Sequence, residues 1–145
     1  MAAAVNAPLY TTEILRLAAS IPHLGHLELA HGTSELRSPT CGSRAKVEVK
    51  LDESERVLEI AQEIEACAFG QASASLMGAQ AVGRDRREAT KVLTELTAWL
   101  AGEREDPGSW PGLAELAPAK SRTGRHGAIV LPFRALLAAI EDAER

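Results

Sequence analysis

A chain of 145 residues with 46% hydrophobic and 25% charged side chains can bury a real core and is too apolar to be disordered. Its formal net charge of -4 gives no general attraction to nucleic acid or to an anionic membrane, so neither is expected as a partner. Two cysteines are too few for a disulfide framework, and the opening MAAAVNAPLYTT lacks the positive start and long apolar run of a secretory signal. A cytoplasmic protein with reduced thiols is the expectation.

Residues 1–8 read as a flexible tail ending at Pro8, and residues 9–145 as a single domain. From Leu9 to Ala19, Tyr10, Ile14, Leu15 and Leu17 fall on a helical stripe, with Thr11 or Thr12 as its cap and Ile21-Pro22 as its stop. The stretch HLGHLELAHGTSELRSPTCGS is punctuated by Gly25, Gly32, Pro39 and Gly42 and reads as extended segments with turns. Ala45–Leu51 alternates as a strand does, with Ala45, Val47, Val49 and Leu51 on one face. Val57–Ala66 is ambiguous. It holds good helix formers at helical spacing, yet Leu58, Ile60, Gln62, Ile64 and Ala66 also alternate.

Ala72–Val82 reads as a helix of small residues; Ala66–Gly83 carries no charge, but its Gln, Ser and Gly make it a poor membrane span. Arg86–Ala101 is strongly periodic through Val92, Leu93, Leu96, Trp99 and Leu100, with Gly102 as its stop. A polar linker follows, then LAELAPAK as a short helix stopped by Pro118, then SRTGRHG as a basic loop. AIVLPFRALLAAIEDAER closes the chain with Phe133, Leu136, Leu137 and Ile140 on one helical face.

Four histidines and two cysteines are the soft-ligand inventory. His23, His26 and His31 match no structural zinc spacing and read as surface or turn residues. No hydrolase or nucleotide-binding pattern is present. Cys41 lies in SPTCGS, a tight turn ahead of a strand. Cys67 lies just before the small-residue helix, and a helix N-terminus is a favourable place for a thiolate. Lys120, Arg122, Arg125 and His126 crowd one stretch, as a solvated loop or as a surface that steers an acidic partner.

SPTCGS followed by ACAFGQASASLM, with AIVLPFRALLAAI near the end, resembles the IscU/NifU/SufU-type iron–sulfur cluster assembly scaffolds. The long stretch between Cys67 and the last motif is more like the SufU branch. The resemblance implies an α+β fold: a small three-stranded antiparallel sheet covered on one side by helices, with Val57–Ala66 as the strand leading to Cys67. It implies a non-enzyme that receives sulfur or holds iron or a labile Fe–S cluster, zinc being the other metal. The implied partners are a cysteine desulfurase and apo Fe–S proteins. Oligomeric state stays open.

The ligand set departs from the family's three cysteines and an aspartate. Cys41 and Cys67 match. Ser43 stands where the aspartate would be, and the third cysteine falls on Ala128, or on Gly127 if the alignment slips by one. His126 is a candidate auxiliary ligand. Ser43 and Ala128 are expected in loops, where substitution costs little. Alternative readings are an interaction module that kept the fold and lost the metal, and a two-thiol sulfur relay through Cys41 and Cys67.

Overall fold

The computed structural model describes residues 10–39 and 42–145; the tail expected over residues 1–8 and the residue Cys41 lie outside them. Helix α1, Thr12–Ala18, starts where the sequence allows a cap: the Thr11 hydroxyl accepts a hydrogen bond of 3.1 Å from the Ile14 N–H. Its one buried residue, Ile14, anchors it.

Three strands follow, β1 Gly32–Arg37, β2 Arg44–Leu51 and β3 Val57–Glu65, paired antiparallel in chain order. Leu36 lies opposite Ala45, which lies opposite Ile64; likewise Ser34, Val47 and Gln62 share one face. That face meets the helices. The other face carries Arg44, Lys46, Glu48 and Glu63. The strand reading of Val57–Glu65 wins over its helical propensity because Ile60, Gln62 and Ile64 fall on one face and pair rung for rung with Val49, Val47 and Ala45 of β2.

One detail departs from the alternation. Lys50 pairs with Glu59 but Leu51 pairs with Val57, so Leu58 is an extra residue in β3 with no rung of its own. The bulge exchanges the faces beyond it: Val57 is 1% exposed and Leu58 53% exposed. The expected inward Leu58 therefore points to solvent.

The open face of the sheet is crossed by the segment between α1 and β1. Gln62 N–H donates to His23 O and Gly25 N–H donates to Gln62 O, which fastens the segment to the edge of β3. Further on, Leu27 N–H donates to Glu48 Oε1 at 2.7 Å over β2. Two of the three histidines of this stretch have local partners: His26 Nε2 lies 2.8 Å from Glu63 Oε2, and His31 Nδ1 accepts from Leu51 N–H.

The helical layer consists of α2 Ala68–Gln80, α3 Arg86–Leu100 and α4 His126–Ala143. Helix α4 lies on β1 and β2, and α2 is wedged among α1, α4 and β3. This wedge explains the small residues. A Cβ on Gly70 would come within 3.2 Å of Ala128 on α4, and one on Gly78 within 2.6 Å of the Gln62 amide on β3. Ser73 lies in the same interface, donating to Ile129 O at 2.5 Å. Phe69, Ile14, Met77, Leu96, Phe133 and Leu136 fill the core between the layers.

Helix α3 opens on a capping box, Asp85 with Glu88, and ends ahead of Gly102 at φ +81°. The stretch after it is held by Trp110, whose indole N–H donates to Leu76 O at 2.9 Å and whose ring meets Phe133 edge-on. Pro118 does not stop the next helix: Leu113–Ala119 is a 3-10 helix that contains it. The expected basic loop is also structured, with a 3-10 turn over Thr123–Arg125 and His126 already in α4. No helix among the described residues is long and apolar enough to cross a membrane.

Candidate functional site

The last rung of the sheet sets Arg44 opposite Arg37 on one side and Glu65 on the other. Beyond it, two segments leave the same end of the sheet. One is the connection from Ser38 to Ser43, closed where Ser38 N–H donates to Ser43 O at 2.9 Å and Gly42 N–H donates to Ser38 O at 3.2 Å. Gly42 takes φ +71°, which glycine adopts without a Cβ penalty. The other is Ala66–Cys67, which runs from β3 into α2.

Cys67 is the N-cap of α2, with φ -65° and ψ 172°, and its carbonyl accepts the first helical bond from Gln71 N–H at 2.9 Å. Its side chain caps nothing. The thiol is free and half-buried, and the first turn of α2 carries no acidic residue. The Gln71 amide donates to Ala66 O at 3.0 Å and fixes the approach to the cysteine.

Ala128 belongs to the same corner, because it meets Gly70 one turn into α2. It is not in a loop. It lies in the first turn of α4 and is 0% exposed. Pro132 has no N–H to give the Ala128 carbonyl, and Gly70 leaves room for that freed carbonyl against α2. Ser43 is likewise interior at 4% exposed. The expectation that both positions tolerate change as loop residues fails on this burial. Gly127, the one-residue alternative, is half-buried.

His126 Nε2 lies 3.0 Å from Ala119 O and 3.1 Å from Lys120 O. Carbonyls only accept, so Nε2 carries the hydrogen and ties α4 to the end of the 3-10 helix Leu113–Ala119. Lys120 is placed over the Trp99 ring at 5.1 Å.

Cys67, Ser43 and Ala128 are thus on elements that meet at one end of the sheet, while Cys41 is outside the described residues. Among the described residues, no group of three or more His, Cys, Asp or Glu side chains is arranged so that it could hold a metal ion. The residues that are described bring one thiol and one hydroxyl; Ala128 brings no donor atom. Sequence reasoning passed over a further feature of this end, the Arg44 guanidinium. Arg44 follows Ser43 and pairs with Glu65, two residues before Cys67. The visible signal was the alternation of charge on the open face.

A family model of the NifU-like N terminal domain matches residues 9–108. The chain belongs to that family. Likeness to solved structures covers more of the chain than that match. The N-terminal part of a nitrogen-fixing NifU-like protein from Brucella abortus aligns with TM-score 0.87 and 26% identity over 94% of both chains. A candidate iron–sulfur cluster assembly scaffold protein for the SUF system from Fervidobacterium islandicum AW-1 shares the fold at TM-score 0.82, with 22% identity over 91% of this chain and 96% of that one. The α+β fold with helices on one side of the sheet is therefore the NifU-like one. Comparison with curated protein sequences found no match.

Proposed function

We propose that this NifU-like chain serves iron–sulfur cluster assembly as a sulfur-accepting or iron-holding protein of a single domain spanning residues 9–145, with Cys67 and Cys41 as its working thiols. One observation carries the reading: Cys67, a free thiol, occupies the N-cap position of the helix that opens at the end of the sheet where the connection between β1 and β2 also emerges. The partner in this reading is a cysteine desulfurase. A thiolate attacks the outer sulfur of the donor's persulfide; that S–S bond breaks, a new one forms on the acceptor, and the donor leaves as a thiolate. Iron or a labile cluster would be cargo held by the same thiolates, passed on to apo Fe–S proteins. Ser43 and Ala128 favour weak holding, since neither supplies the thiolate or carboxylate of a closed four-ligand site. Buried Ala128 also favours a second reading, an interaction module that has lost metal binding.

Anaerobic incubation with a cysteine desulfurase and cysteine tests the proposal, with persulfide mapped by mass spectrometry and bound iron measured alongside. The expected outcome is persulfide on Cys67 or Cys41, lost in the Cys67→Ser, Cys41→Ser double variant, and iron that mild chelation removes. Absence of both persulfide and iron on the native chain leaves the interaction-module reading standing. Iron or zinc that survives prolonged chelation would instead call for further ligands, from His126 or from a second protomer.

A further inference from the structure

The N-terminal ends of two helices meet beside Cys67. A Cβ on Gly70 would touch both Ala66, just ahead of α2, and Ala128 in the first turn of α4; Ser73 then donates to Ile129 O. Neither first turn holds an acidic residue, so neither positive helix end is offset by a carboxylate of its own. Just ahead of α4 the chain places three cations, Lys120, Arg122 and Arg125. The turns that carry them are fixed. Arg122 N–H donates to Ala119 O, Arg125 N–H donates to Arg122 O, and His126 Nε2 donates to the Ala119 and Lys120 carbonyls. Lys120 is further seated on the Trp99 ring. None of the three forms an ion pair among the described residues, whereas Arg84, Arg86 and Arg104 each meet a carboxylate. Residues 1–9, 40–41 and 116–140 contain no aspartate or glutamate. A chain of net charge -4 thus keeps a patch of single sign at the corner where Cys67 lies.

We propose that the turns over residues 120–125 are the docking surface for the partner that delivers sulfur to Cys67, and that this partner presents an acidic surface beside its donor thiol. This docking role rests on the sulfur-accepting reading and names the face of the chain that the partner uses. Charge complementarity decides the occupant. Fixed cations without carboxylate partners attract an acidic surface within about 8 Å at physiological salt and orient it during encounter. The negative charge carried by the rest of the chain repels the same surface, so productive encounters are steered to this corner. A nucleic acid fits less well, because no Phe, Tyr or Trp between residues 120 and 126 offers a base a ring to stack on.

Association of the full chain with a cysteine desulfurase, timed over a series of salt concentrations, tests the surface without calling on any thiol. The double variant Arg122→Gln, Arg125→Gln should associate about tenfold more slowly at low salt and lose most of the salt dependence. Arg122→Lys, Arg125→Lys should keep the native rate, because steering uses charge and not the shape of the guanidinium. Arg87→Gln, Lys91→Gln removes two exposed cations without ion pairs from α3 and changes net charge equally; its rate should stay native. Urea midpoints of all three variants should match that of the native chain. Equal slowing in both glutamine variants overturns the docking surface in favour of net charge alone. An unchanged rate in Arg122→Gln, Arg125→Gln, with persulfide still formed, overturns the surface and leaves the sulfur-accepting reading standing. Binding to phosphatidylserine vesicles that this variant abolishes, while its desulfurase rate stays native, overturns the surface in the same way. A native chain that neither binds the desulfurase nor gains persulfide overturns both.

Discussion

The two faces of the sheet solve charge in opposite ways. On the open face, cations and anions meet: Arg44 with Glu65 and Lys50 with Glu59 across strands, and Lys46 with Glu48 along β2. In the helical layer on the other face, the chain from Ala66 to Arg84 and again from Leu116 to Ile140 holds no aspartate or glutamate. Polarity there is spent on backbone groups instead. Ser73 binds the Ile129 carbonyl, Gln62 the Pro22 and Ala74 carbonyls, and Trp110 the Leu76 carbonyl. The open face is held by partners across strands in high dielectric, where each pair is worth little by itself. The helical face is held by close approach, where one added methyl group is felt. Cys67 sits where the two meet.

The largest effect should come from the close-approach face. A Cβ on Gly32 would lie 2.2 Å from Ala139 O and 2.5 Å from Ala143 N, both backbone atoms of α4. Neither can move without shifting the helix off β1. Gly32→Val should therefore destabilise by about 3 kcal/mol or more, at the severe end of overpacking. Gly124→Ala is the control, because nothing lies within 4 Å of its added Cβ. Chemical denaturation of the two variants checks the contrast, and equal midpoints would mean that α4 is not seated on β1 as described.

How much of this was legible in the sequence follows the same division. The strand Arg44–Leu51 announces itself, because alternation is written directly into residue type. The fold class followed from the motifs around Cys41 and Cys67. The run of small residues in α2 signals close packing, but the missing volume at Gly70 and Gly78 does not say which neighbours it admits. The bulge at Leu58 was invisible for a related reason. Val57 and Leu58 are both strand-compatible and apolar, and only the pairing of Leu51 decides which turns inward. The burial of Ala128 depends on α4 crossing α2, a contact between residues distant in the chain. Ser43 is adjacent to an obvious strand, yet its burial comes from the turn that closes on Ser38.

A middle-sized effect tests the open face through pH. Burial beneath the crossing segment pushes the Glu48 carboxyl up. The Leu27 N–H, His26 and Lys46 together outweigh it and hold the group below its ordinary value of 4.5. A carboxylate depressed in the folded state adds stability that is fully present above its unfolded value. That stability is lost as pH falls through the lower folded value. Glu48→Gln keeps an oxygen that can accept from Leu27 but removes the titration. Its stability should fall less steeply with acid below about pH 4.5 than that of the native chain. Parallel acid limbs would show that the charge of Glu48, as opposed to its hydrogen bond, contributes nothing to fastening the segment.

The smallest effect marks the boundary between the two faces, at the bulge. Leu58 and Val57 are neighbours of similar chemistry, so sequence alone predicts similar costs for truncating them. Their exposures differ because the bulge turns one residue out and the next one in. Leu58→Ser removes an apolar side chain that is already half in water and should change stability by no more than about 0.5 kcal/mol. Val57→Ala removes buried methyl groups and should cost about 1.5 to 3 kcal/mol. Denaturation midpoints at constant slope would separate the two. Since the register is the only source of the difference, a reversed order would place the extra residue at Val57. It would also shift the β3 pairing at that end of the strand by one rung, leaving the Glu65 end and Cys67 untouched.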